Sequence, residues 1–156
     1  MRALGTPPSL TSVTRDTYPA GAAFSAGFIA TAACGVAAAA AHLHSRGIAH
    51  GDLYAHNILV DVSSGHAKLG DFGAAFHYGA SNTGGGSAYE AIEARAYGIL
   101  LKELLERYDG TGDGSSALPD VRSVSEACVG PAAGRPRFGD IAQRLVVKAP
   151  PGTCTL

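Results

Sequence analysis

The sequence predicts a mainly α-helical domain with one short β-hairpin set between two long helices. Three observations predict it. The alanine- and glycine-rich segment 20–46 brings Phe24, Phe28, Ala32, Val36, Ala40 and Leu43 close to one helical face. Segment 89–108 repeats a helical apolar set with Ile92, Tyr97, Leu100, Leu101, Leu104 and Leu105. Between them, Ile58-Leu59-Val60 and Ala67-Lys68-Leu69 are short strand-like runs on either side of a Ser63-Ser64-Gly65 turn.

The remaining elements follow in order. Residues 1–19 are rich in Pro, Ser and Thr and read as an irregular segment, with room for one helical turn. The first long helix stops at Arg46-Gly47, a basic residue followed by glycine. Residues 74–87 read as a loop, since Gly79 to Ser87 is almost all Gly, Ser, Asn, Thr and Ala. Another loop spans 109–117, and short helices near 119–129 and 138–147 complete the domain. The expected organisation is an irregular segment at 1–19, a helical domain at 20–147 and a flexible tail at 148–156. No internal repeat is visible.

Composition excludes several classes. A chain of 156 residues is long enough for one domain with a real core. Hydrophobic residues make up 46% and charged residues 16%, the reverse of what disorder needs. A net charge of −1 gives no electrostatic attraction to nucleic acid or to an anionic membrane. Pro19 to Ala41 carries no charge, but alanine and glycine bring little transfer free energy, so a buried amphipathic helix is expected there rather than a membrane span. The first residues hold PPS and TRD and lack the apolar centre of a signal peptide. Cys34, Cys128 and Cys154 are odd in number, far apart and without metal spacing. They read as ordinary cysteines in a reducing, cytoplasmic setting.

The chemistry concentrates in HGDLYAHNILV, His50 to Val60, and in LGDFG, Leu69 to Gly73. Phosphoryl transfer from Mg·ATP needs a carboxylate to orient the attacking hydroxyl and accept its proton. It also needs hard oxygen ligands for magnesium. Asp52 can be the first, and Asn57 with Asp71 the second. Taken singly, each has a bland reading: Asp and Asn often cap turns, and Asp-Phe-Gly occurs in unrelated turns. Together, in this order, they point to the phosphoryl-transfer site. A zinc site from His42, His44, His50 and His56 is disfavoured, because residues two apart on a helix diverge to different faces.

These two stretches resemble the catalytic loop and metal-binding loop of the protein kinase family, H-R-D-L-x-x-x-N followed by D-F-G. Three further stretches resemble the same family in the right order. HLHSRGIAHGDL looks like the end of the helix that leads into the catalytic loop. EARAYGILLKELL resembles D-x-W-S-x-G-x-x-L-x-E-L, and CVGPAAGRPRFGDI resembles C-x-x-x-x-P-x-x-R-P-x-F-x-x-I. The resemblance runs from about residue 22 to 147 and implies a protein kinase-like C-terminal lobe, its hairpin carrying the catalytic and DFG loops. It implies ATP and Mg2+ as cofactors and a protein Ser, Thr or Tyr hydroxyl as acceptor. By the same resemblance Asp52 is the catalytic base, Asn57 and Asp71 hold magnesium, and Leu59 is the floor under the adenine. His50 becomes a structural histidine near Phe72, with Gly73 closing the motif. Arg135 becomes a structural ion-pair residue toward Glu90 or its neighbours.

The departures from the family shape the expectation. The Arg before the catalytic Asp is Gly51, which removes the usual route to ordering by activation-loop phosphorylation. Where the family often has a Lys two residues after the Asp or an Arg four after it, this chain has Tyr54 and His56. His56 is the candidate phosphate contact, supplying charge when protonated. A lost cationic donor costs on the order of 10²–10³ in rate, by analogy with oxyanion donors. AYE, Ala88 to Glu90, stands where the family has A-P-E, and the segment before it is short, which puts peptide docking in doubt. Ser81, Thr83 and Ser87 are candidate phosphosites. No lysine precedes Lys68, and residues 1–19 have no room for a glycine-rich loop, a strand lysine and its helix glutamate. The chain therefore reads as a truncated C-lobe, whose exposed apolar face awaits an N-terminal lobe or another partner. Two alternatives stand beside the kinase reading. One is a non-catalytic, pseudokinase-like binding module. The other is a small-molecule kinase like those acting on aminoglycosides or choline, which share H-G-D-L-x-x-x-N.

Overall fold

Two long helices form the frame, and the loops that carry the motifs are strung between them. The computed structural model describes residues 1–8, 16–79, 85–113 and 115–146. The candidate phosphosites Ser81 and Thr83 and the tail 148–156 lie outside these residues. Helix α1 spans Ala26–His44 and α2 spans Gly85–Leu105. Strands β1 (Arg2–Ala3), β3 (Ile58–Val60) and β4 (Ala67–Leu69) form one antiparallel sheet with β3 in the middle. Strands β2 (Ile48–Ala49) and β5 (Phe76–His77) form a second, two-stranded pair. Helices α3 (Leu118–Val129) and α4 (Phe138–Val146) close the domain, α3 packed on α2 and α4 packed on α1.

Helix α1 begins later than its composition predicts. Ser25 caps it, its hydroxyl accepting from the Phe28 amide at 3.3 Å. The preceding residues are held out of the helix by the end of α2: the Phe24 amide donates to the Arg107 carbonyl and the Asp109 amide returns a bond to Phe24. The same exchange ends α2 at Leu105, three residues short of the expected 108. The glycine stop is where the sequence puts it, with Gly47 in the left-handed region at φ 65°.

By length and composition α1 is apolar enough to cross a membrane, with mean hydropathy 1.6. In the fold it is instead the central core helix. It is not the one-faced amphipathic helix that the spacing predicts: Ala26, Phe28 to Cys34, Val36, Ala37 and Ala40 are all buried. Such a helix is covered on most sides, here by α4, α2, α3 and β4. Small residues let these neighbours approach. The Tyr97 hydroxyl of α2, fully buried, donates to the Ala33 carbonyl at 2.8 Å and pins the two long helices together.

Three short strands, β1, β2 and β5, escaped the sequence reading, because two residues show no alternation. Strand β1 lies in the segment read as irregular and pairs Arg2 with Val60. Strand β5 lies in the segment read as a loop and pairs Phe76 with Ala49. The hairpin β3–β4 has the expected boundaries and pairs Leu59 with Lys68. Cys34 is disulfide-bonded rather than an ordinary core thiol. Cys128 is a free, buried thiol whose titration burial pushes up to about 12, so it behaves as an apolar core side chain.

Helices α2 and α3 meet at Gly98. A Cβ there would sit 2.6 Å from Cys128 Cβ and 3.0 Å from the Ser125 carbonyl oxygen, and the Ser125 hydroxyl already donates to the Gly98 carbonyl at 2.8 Å. Gly98→Ala is therefore expected to destabilise the domain by about 1–3 kcal/mol through overpacking. Urea unfolding measures it; an unchanged midpoint would mean that α3 can move away freely.

Candidate active site

The site is built where β2 ends, where the turn before β3 begins and where β4 runs into Asp-Phe-Gly. A 3₁₀ turn at Ala55–Asn57 leads from the catalytic loop into β3. It turns Asn57 back onto Asp52. The Asn57 side-chain amide donates to the Asp52 carbonyl at 2.9 Å and to Asp52 Oδ2 at 2.8 Å. Asn57 is buried, while the Asp52 side chain is 40% exposed. A rigid buried amide thus presents a carboxylate that solvent, or an acceptor hydroxyl, can reach.

The second loop is tied to the first. The Gly70 amide donates to the Asn57 carbonyl at 2.8 Å. The Gly70 carbonyl accepts from His50 Nε2 at 2.8 Å, while the Asp52 amide points at His50 Nδ1 at 3.4 Å. His50 is wholly buried and its ring lies 5.0 Å from that of Phe72. It acts as a strut between the two loops, in the position the resemblance implies. Asp71 has a left-handed backbone at φ 48°, and its Oδ1 accepts from the Gly73 amide at 3.1 Å. Among the described residues it is the single non-glycine with positive φ, a conformation that needs its surroundings to hold it.

The residues fit a hard divalent cation in part. Both bonds of Asn57 use its amide nitrogen, so its amide oxygen is the atom that would serve a cation. Asp71 adds a carboxylate. Among the described residues no group of three His, Cys, Asp or Glu side chains forms a metal site by itself. One carboxylate, one amide oxygen and the oxygens of a phosphate ligand is the kind of set magnesium takes.

Leu59 is 40% exposed between buried Ile58 and Val60, and Phe72 is 50% exposed. The apolar face that the sequence predicts is therefore present at both residues. His56, the candidate phosphate contact, is oriented by a residue that the sequence did not single out. Its Nδ1 lies 2.8 Å from Asp16 Oδ1, its amide donates to Asp16 Oδ2 at 3.2 Å, and its Nε2 stands 3.6 Å from Asp52 Oδ2. The expected Arg135 ion pair is not formed. Arg135 instead donates to the Gly130 and Ala91 carbonyls at 3.0 and 2.9 Å. The Glu90 carboxylate accepts from the Tyr78 hydroxyl at 2.9 Å and lies 3.9 Å from the exposed Arg137. Backbone carbonyls at the end of α3 and on α2 take up Arg135 instead.

Glu93 is the other residue the reading passed over. It is buried on α2, and its carboxylate accepts from the Gly51 amide at 2.7 Å and pairs with His44 Nε2 at 2.6 Å. The signal was present: Glu93 stands at the acidic position of EARAYG. Burial raises its proton affinity, but the bonds from His44, Gly51 and His50 outweigh that and leave its carboxyl titrating below the usual value. Gly51 itself has no room for a side chain. Its φ is 81°, and a Cβ would lie 2.3 Å from the Ala74 carbonyl oxygen.

The model of the protein kinase domain matches residues 9–99, more than half of the sequence. The chain belongs to the protein kinase family. Among solved structures, this kinase-family chain is similar to a divergent kinase lacking the glycine-rich loop that regulates membrane ultrastructure of the Toxoplasma parasitophorous vacuole. The identity is 19% and the TM-score 0.55, over 74% of this chain and 41% of that one. The likeness is one of fold, and the chain spans less than half the length of that kinase.

Two predictions follow from how the kinase loop is held. A lowered Glu93 carboxyl stabilises the fold fully above the ordinary glutamate value of 4.5, and that stabilisation is lost as pH falls through the lowered folded value. Glu93→Gln should cost about 2 kcal/mol at neutral pH, as for a charged hydrogen bond, and should flatten the acid limb of the stability curve. Denaturation followed from pH 7 to 3 decides; an acid limb as steep as that of the wild type would refute the role. Gly51→Arg restores the family residue and should destabilise by more than about 1 kcal/mol, the cost of a left-handed non-glycine residue. An unchanged melting temperature would show that the loop can rebuild.

Proposed function

We propose that the domain is a protein kinase-type phosphotransferase lobe, set at 20–147, that directs the γ-phosphoryl group of ATP to a protein Ser, Thr or Tyr hydroxyl. The observation that carries this reading is the Asn57 clamp on Asp52, tied to the Asp-Phe-Gly loop through the Gly70–Asn57 bond. It sets a solvent-reachable carboxylate beside two oxygen donors on adjoining loops. Asp52 would orient the acceptor hydroxyl and take its proton. Asn57 and Asp71 would hold Mg2+, which when bound neutralises charge on the phosphates. Leu59 would lie under the adenine. The half-exposed ring of Phe72, resting on His50, would keep the Asp71 loop in register.

One observation favours a second reading. Leu59, Phe72 and Phe76 expose apolar surface together with a compressed acceptor segment, which suits a non-catalytic binding module. The similar solved protein is a divergent kinase lacking the glycine-rich loop. The left-handed Gly51 is also what the H-G-D of small-molecule kinases would need.

Thermal unfolding with Mg·ATP separates these readings. Nucleotide at a hundred times its Kd should stabilise by about 2.7 kcal/mol, and Asp71→Asn should remove the magnesium-dependent part. Asp52→Asn should keep that shift but lower ADP release by roughly 10²- to 10⁴-fold, as for a lost proton acceptor. A shift with no turnover in the wild type supports the binding module; no shift at all would sink both nucleotide readings.

A further inference from the structure

A cavity of about 230 Å³ lies behind the hairpin and is lined by none of the candidate site residues. Three stretches enclose it: residues 2–6, residues 19–24 with Phe28 of α1, and Val60 with Val62. Successive residues of a strand point to opposite faces. Leu59 is exposed on one face of β3, and the buried Val60 lines the cavity on the other. Strand register then sets the mouth. Arg2 pairs with Val60, and directly opposed residues share a face, so Arg2 lines the same cavity from an exposed edge strand.

The interior offers a ligand apolar surface and few free donors. The amides of Leu4, Gly5, Thr6, Ala22 and Phe24 already donate to the carbonyls of Ile58, Ala55, Thr17, Pro19 and Arg107. The Thr6 hydroxyl donates to the Thr17 carbonyl at 3.0 Å. One wall is a pair of stacked rings, Phe24 and Phe28, with centroids 4.8 Å and planes 9° apart. The space is left by small lining residues, among them Ala3, Gly5, Ala20, Gly21, Ala22 and Ala23. An apolar cavity of about 150 Å³ accepts a benzene ring, so this one has room for a ring and a short chain. Ligand pockets are commonly built this way, with apolar walls and one or two polar groups that fix orientation.

Charge at the mouth is one-sided. Among the described residues no carboxylate pairs with Arg2. Asp61, next to Val60, is engaged in the hairpin turn, where its Oδ1 accepts from the Ser63 amide at 2.9 Å and hydroxyl at 2.6 Å. A guanidinium presents a planar fork of donors that matches a carboxylate.

We propose that this cavity binds a small aryl-alkyl carboxylate, its ring against Phe24 and Phe28 and its carboxylate on Arg2. Binding is non-covalent, and the proposal does not rest on the phosphotransfer reading. The probe is hydrocinnamate, with hydrocinnamyl alcohol as the uncharged control of the same skeleton. Amide proton–nitrogen NMR of the full chain should show saturable shifts at millimolar hydrocinnamate, confined to residues 2–6, 19–28 and 60–62. Arg2→Gln should weaken hydrocinnamate about tenfold, the scale of one lost charged hydrogen bond, and leave the alcohol within about twofold. Ala22→Phe, which fills the space, should abolish binding of both. Arg2 is exposed and Ala22 half-buried, so neither change rebuilds the core, and melting temperature checks that each variant is folded. Should Ala22→Phe not fold, Arg2→Gln still decides. Lack of saturable shifts, shifts centred on Asp52 and Asp71, unchanged hydrocinnamate affinity in Arg2→Gln, or equal affinity for the alcohol and the carboxylate would each overturn the proposal.

Discussion

The site depends on one buried carboxylate. Glu93 sits on α2, and its oxygens reach out of the helix to the end of α1 and to the backbone of the catalytic loop. A loop alone cannot fix an amide and a histidine to within a few tenths of an ångström, since ordering its backbone costs about 1–2 kcal/mol per residue. A charged acceptor in a dry setting can, because each bond to it is stronger than one between neutral groups. The catalytic segment is therefore positioned by the core rather than by its own turn chemistry. His50 extends the same anchoring to Gly70, and Gly70 to Asn57, so the two loops are bonded to one another.

Much of this was legible in the sequence. The hairpin from Ile58 to Leu69 has strong strand residues around a clear turn. The resemblance put His50 near Phe72, and the two rings lie 5.0 Å apart. What was not legible has a common cause. Strands β1, β2 and β5 are two residues long, defined by partners and not by pattern. The start of α1 was misplaced because Ala20 to Phe24 have helical composition but are captured by backbone bonds from Arg107 and Asp109. Asp16 was invisible because nothing local distinguishes a solvated Asp from one that meets a histidine forty positions along the chain. Arg135 was given the wrong partner because carbonyls, unlike carboxylates, leave no mark in sequence.

The alanine-rich composition has a structural use. Where α1 is buried by four different neighbours, large side chains on every face would hold those neighbours apart. Alanine and glycine let β4 and α2 come close enough for Tyr97 to reach a helix carbonyl. The cost is less apolar area per residue, and the fold compensates with a concentrated leucine and tyrosine face on α2. The same economy of space recurs at Gly51 and Gly98, where backbone or side chain of the neighbour occupies the place of a Cβ.

The loss of the family Arg and the gain of the Asp16–His56 pair belong together. With glycine at position 51 the loop has no side chain there to take a phosphate, and its left-handed backbone turns the amide toward Glu93 instead. The loop is held there by bonds built into the chain. His56 follows the same pattern: it stands where the family often has a fixed cation, and a buried acid holds it. Asp16, Asp52, Asp71 and Glu93 make the surroundings of the loop acidic, with three histidines set among them. An acidic surround of this kind repels a bare phosphate, so on the proposed phosphotransfer reading the positive charge would have to come with the ligand's divalent cation.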